Sequence, residues 1–164
     1  MKTPARIGSH PIHPMLIPFP FALWTFSLIA DLIYYFGTND YVWETVAFYT
    51  LAGGIAGGML AAVPGIIDYF SINDKRVSKI ANWHARLNLF ALLVFAGSFY
   101  LRTDRGSRIV DGSLTIPVLL SLLGVMFIFA SGWLGGEMVF RHGVGVDRGP
   151  DAETTDKINL KVQI

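Results

Sequence analysis

Leu51-Ala52-Gly53-Gly54-Ile55-Ala56-Gly57-Gly58-Met59-Leu60-Ala61-Ala62-Val63-Pro64-Gly65-Ile66-Ile67-Asp68 is the stretch that decides the fold. Residues 45–67 carry no charge, and about 20 apolar residues suffice to cross a hydrocarbon core of roughly 30 Å. Within the stretch Gly53, Gly57, Ala61 and Gly65 recur every four residues, with Gly54, Gly58 and Ala62 alongside. Small residues at that spacing let helix backbones approach closely inside lipid. The stretch therefore reads as the core of a transmembrane helix, 43–70, and as the central packing member of a bundle. A phosphate-cradling glycine loop does not fit, because no Lys-Ser/Thr pair follows at the right place.

Working outward, residues 15–36, 80–101 and 114–138 are three further apolar runs of spanning length. The whole chain agrees: 164 residues, 52% hydrophobic and 15% charged, against a charged fraction of about 25% in soluble domains. The first run opens through Pro14, Pro18 and Pro20, which implies a kinked entry whose freed carbonyls need partners. Lys2 and Arg6 precede it without a small-residue cleavage site, so it reads as a retained anchor. The third run begins with an amphipathic turn around Trp83, His84 and Arg86. The expected architecture is all-α, a polytopic membrane protein built as a four-transmembrane-helix antiparallel bundle over residues 1–146.

Four helices on short loops alternate in direction, which places the N-terminus, the second loop and the C-terminus on one side. That side holds Lys2, Arg6, Lys75, Arg76, Lys79, Arg86, Arg141 and Arg148, against Arg102, Arg105 and Arg108 opposite. The positive-inside rule makes both termini cytoplasmic. The basic residues form no stripe with interleaved aromatics, so nucleic acid is not an expected partner; lipid, a homo-oligomer or a larger membrane complex is. Residues 147–164 form a polar tail in which Ile158, Leu160, Val162 and Ile164 alternate with polar residues, the pattern of a strand that pairs with a partner chain or a symmetry mate, with a disordered end as the equal alternative.

Zero cysteines leave imidazole and carboxylate as the strong metal ligands. All four histidines, His10, His13, His84 and His142, fall at span ends facing the same side. His13, Asp68, His84, Glu137 and His142 bring one or more groups from each helix, and ionisable groups at membrane depth mark a site. His10 reads as an outer residue in a proline-restricted lead-in. Asp68 at a helix C-terminus is disfavoured by the dipole and wants a partner such as Arg76, Arg86 or a metal. Glu137 and Arg141 are also spaced for a surface pair. Asp31, Asp40 and Glu44, near the opposite face, read as a solvated acidic rim.

Several segments together resemble a known family. They are His10-Pro11-Ile12-His13-Pro14, Gly65-Ile66-Ile67-Asp68, Trp83-His84-Ala85 with Asn88, and Gly135-Gly136-Glu137-Met138-Val139-Phe140-Arg141-His142-Gly143. The chain is similar over about residues 8–146 to the bacterial membrane-protein family known as domain of unknown function 2231. That resemblance implies a bacterial inner membrane and no settled activity; members joined to Rieske-type iron–sulfur domains imply a redox setting, although this chain has no cysteine and no such domain.

The leading expectation is a haem- or metal-binding electron-transfer subunit. In one form His84 and His142, with His13 as substitute, ligate haem b, while Arg86 and Arg141 meet its propionates and Gly135, Gly136 and Gly143 line a planar slot. In another, His13, Asp68, His84, Glu137 and His142 hold a non-haem transition metal. The alternative is a cofactor-free scaffold or assembly subunit whose histidines and carboxylates tie the helix ends together. Transport is less well supported, because the apolar centres of the runs carry no ionisable residue. No nucleophile with an oriented base supports hydrolysis.

Overall fold

The computed structural model describes residues 2–103 and 115–146. Arg105, Arg108, Arg148 and the strand-like tail therefore lie outside the described residues. The chain starts with a two-stranded antiparallel hairpin, β1 (Arg6–Ile7) and β2 (His10–Pro11). Gly8 opens its turn at φ 60°, a conformation glycine takes without a Cβ penalty. Among the described residues five α-helices follow: α1 (Ile12–Leu16), α2 (Pro18–Ile33), α3 (Tyr41–Tyr69), α4 (Lys75–Leu101) and α5 (Thr115–Phe140). Among the described residues four spans are long and apolar enough to cross a membrane: Ile12–Gly37, then α3, α4 and α5.

The first span is irregular where its prolines predict. Helix α1 ends at Leu16 and α2 restarts at Pro18, because Pro18 and Pro20 offer no N–H to the carbonyls four residues back. At its far end the helix widens into a π-turn, Tyr34–Thr38, closed by Asn39 in the left-handed region. Asp40 then caps α3 by accepting from the Val42 N–H at 3.0 Å. Helix α4 begins at Lys75 rather than near residue 80, correcting the sequence expectation. The reason is twofold: Asp74 accepts from the Arg76 and Val77 N–H groups, satisfying orphan donors. Val77 and Ala81 also bury against Met138, so the polar opening already has an inward face.

The bundle is held by aromatic rings pressed onto glycine. Trp24 lies over the α3 ridge, where a Cβ on Gly54 would come within 2.4 Å of its indole and one on Gly58 within 2.7 Å. Its other side stacks on Phe95 of α4, with centroids 4.4 Å apart and planes 11° from parallel. Phe95 in turn covers Gly124 of α5, where a Cβ would sit 2.7 Å from the ring. One stack thus threads all four spans, and the four-residue glycine pattern exists to admit it.

Burial is inverted relative to a soluble protein. Phe19, Leu60, Phe90, Met126 and Trp133 face outward, while Ser27, Asp31, Ser98, Arg102 and Ser121 are buried. That is the distribution a lipid solvent imposes, since polar groups must be satisfied inside the protein.

Candidate functional site

Two polar clusters stand at opposite ends of the spans. The first is the histidine end. His13, in α1, reaches the Ala61 carbonyl with Nδ1 at 2.7 Å. A carbonyl only accepts, so Nδ1 carries the proton and donates. The ring occupies a notch at Gly65, where a Cβ would lie 2.7 Å from Nδ1. His84 lies roughly 14 Å along α4 from Lys75 at 1.5 Å per residue. Its Nδ1–H is 2.9 Å from the Ser131 carbonyl of α5 and 2.9 Å from the Ser131 hydroxyl. Nε2 is then the acceptor of the neutral ring, and the Asn88 amide donates to it at 3.0 Å. Gly135 makes room for this ring, its absent Cβ 3.3 Å from Cε1. The two imidazoles meet edge to face, centroids 6.2 Å apart.

The remaining expected residues go elsewhere. Asp68 takes its hydrogen bond from the Ala5 backbone N–H at 2.8 Å, so its compensating partner is the N-terminal hairpin, not Arg76 or Arg86. Glu137 pairs with Arg141 at 2.9 Å on an exposed surface. Arg86 lies over the Trp83 ring, 5.5 Å from its centroid. His142 is within electrostatic reach of Asp74, and His10 is exposed beside Ser9. The glycines expected to line a haem slot are engaged otherwise: Gly135 faces His84, and the space beside Gly136 leads to Phe140. Among the described residues no three histidine or acidic side chains are grouped to hold a metal ion. The structure thus brings His13 and His84 together, but not the larger set.

The second cluster corrects the reading of a solvated rim. Asp31 is 1% exposed and Glu44 5%. Arg102, at the C-terminus of α4, grips Asp31 with both terminal nitrogens, at 2.7 and 2.6 Å. It also donates to Ser121 at 3.2 Å and Ser98 at 3.3 Å, and Ser98 donates to the Pro117 carbonyl at 2.8 Å. Glu44, in the first turn of α3, has Arg102 and Asp31 as charged neighbours. Its Oε2 has no hydrogen-bond partner among the described residues. Every span contributes to this cluster.

A sequence signal for it exists. Trp24, Ser27, Leu28 and Asp31 lie three or four apart on one helical face, as do Ala91, Phe95, Ser98 and Arg102. Glu44 likewise continues the face of Ala47, Leu51 and Gly54. The charged residues extend the buried stripes and so face inward.

Residues 9–148 match the family described as predicted membrane protein, DUF2231. The chain belongs to that family. No curated protein and no solved structure matches the chain. The DUF2231 match contains both clusters whole. It begins in the turn of the hairpin, after Ala5 and β1, and continues past the end of α5; the chain is a multi-pass membrane protein by that match and its four candidate spans.

Proposed function

We propose that the chain is a cofactor-free scaffold or assembly subunit of a membrane complex. Its form would be an antiparallel four-helix bundle with both termini cytoplasmic in a bacterial inner membrane. The carrying observation is the His84 ring, which spends both nitrogens on the protein itself, bridging α4 to α5 and back to Asn88. A side chain used in this way is a tie between helices. Support for the antiparallel form comes from contact pairs that run in opposite senses along neighbouring helices: His13 with Ala61 and Ser27 with Ala47, His84 with Ser131 and Ser98 with Pro117. The orientation rests on Lys75, Arg76, Lys79, Arg86 and Arg141, which gather at the histidine end.

One observation favours a second reading. His13 and His84 are adjacent, and each has its Nδ1 fixed by a carbonyl, the support that usually orients Nε2 of a metal-binding histidine. In that reading the pair ligates haem b or a non-haem metal after Asn88 leaves Nε2, and the subunit carries electrons. The test is purification from cells supplied with haem and transition metals, followed by an optical spectrum, elemental analysis and a native gel in mild detergent. The scaffold reading expects substoichiometric haem and metal together with migration in a larger assembly. A stoichiometric cofactor that disappears in His84→Ala would overturn it in favour of electron transfer.

A further inference from the structure

The guanidinium of Arg102 is already committed. Four of its five N–H donors go to Asp31, Ser98 and Ser121, with the two shortest bonds spent on the Asp31 carboxylate. Glu44 shares this enclosure at 5% exposure and contributes an oxygen with no partner among the described residues. Among the described residues the ionisable groups facing it are Asp31 and Tyr34 from the first span and Arg102 from α4. Helix α5 offers Ser121, whose hydroxyl already receives Arg102. Were both carboxylates ionised, one guanidinium would face two negative charges away from water. An uncompensated buried charge is too costly to persist, and such a group neutralises.

We propose that Glu44 is a proton-binding site. It holds one exchangeable proton at the end of the bundle marked by Asp31 and Arg102, and the Asp31–Arg102 pair keeps the proton there by withholding the only buried cation among the described residues. A proton is the occupant that fits, because it requires no cavity and no ring of ligating oxygens. When it binds, an O–H bond forms on the Glu44 carboxylate and the positive charge cancels the negative one; when it leaves, it goes to water at the face where α3 begins. The proposal is independent of whether the histidine end carries a cofactor.

Infrared difference spectroscopy on the full chain in lipid nanodiscs tests it. At neutral pH the wild type should show the C=O stretch of a protonated carboxylic acid, shifted in heavy water and lost reversibly on alkaline titration. Glu44→Gln should fold and lack the band, since an uncharged amide replaces an uncharged acid of similar size. Asp31→Asn supplies the decisive contrast: it releases Arg102 to pair with Glu44, so the band should vanish at neutral pH although Glu44 is still present. Absence of the band in the wild type, its survival in Glu44→Gln, or its failure to titrate before the protein unfolds overturns the proposal. So does a Glu44→Gln protein that fails to fold, or an Asp31→Asn protein that keeps the band.

Discussion

The two ends of the bundle solve the same problem with different chemistry. Each draws a polar group from every span. At the histidine end the groups are imidazole rings bonded to backbone carbonyls, seated in glycine notches. At the other end they are full charges, with Asp31 and Arg102 closed over by Ser98 and Ser121. Losing a neutral bond costs a desolvated dipole; losing one ion of a buried pair strands the other. The charged end should therefore be the brittle one.

The largest expected effect tests that statement directly. Arg102→Ala leaves Asp31 buried and unpaired and should destabilise the bundle by about 3–5 kcal/mol, read as a fall in thermal midpoint in detergent or nanodiscs. Arg102→Lys should recover only part, because an ammonium cannot make the two-pronged contact. Removing both charges, as in Asp31→Asn with Arg102→Met, should be milder than Arg102→Ala alone, since neither ion is then stranded. Equal losses for Arg102→Ala and His13→Ala would erase the contrast between the two ends.

The intermediate effect sharpens the neutral end. Gly65→Ala places a methyl where a Cβ would be 2.7 Å from the His13 ring, an overpacking expected to cost about 1–3 kcal/mol. Because the clash is with that one ring, the double variant Gly65→Ala with His13→Ala should lose less than the two single losses added together. Strict additivity would show that His13 is not seated in the notch. Gly135→Ala meets His84 at a looser 3.3 Å and should cost less than Gly65→Ala.

What the sequence makes legible follows the same division. The four spans, the packing role of the α3 glycines and the convergence of His13 with His84 can all be read from apolar length, four-residue spacing and loop parity. The hairpin bond to Asp68 cannot, because its donor is the Ala5 backbone N–H and a backbone group has no residue-type signature. Asp31 and Glu44 read as solvated for another reason. A charge near a span end is ordinarily hydrated, and only its position on a buried helical stripe, set by Trp24 and Ser27 in one case and Ala47 and Leu51 in the other, reveals that it turns inward. The start of α4 is hidden for a related reason: it is decided by a cap at Asp74 ahead of residues polar enough to resemble a loop.

That cap provides the smallest effect and the floor of the comparison, a charged group at the histidine end that is exposed instead of enclosed. The N–H groups of Val77 and Arg76 hold the Asp74 carboxyl below the usual carboxylate range, because they bond its charged form. A depressed folded-state value stabilises the ionised form in the folded chain. The contribution is complete above the pKa of the unfolded chain, near ~3.9 for an aspartate, and is lost as pH falls through the lower folded-state value. Protection of the Arg76 and Val77 amides against exchange, relative to their intrinsic rates at each pH, should therefore fall only in acid, with the centre of α4 unaffected. Asp74→Asn keeps a capping oxygen and should retain protection at neutral pH while abolishing its acid dependence. If Asp74→Asn instead frays α4 as far as Ala81 at neutral pH, then charge, and not the cap alone, holds the opening of α4 against Met138, and the exposed and enclosed ends are closer in kind than their burial suggests.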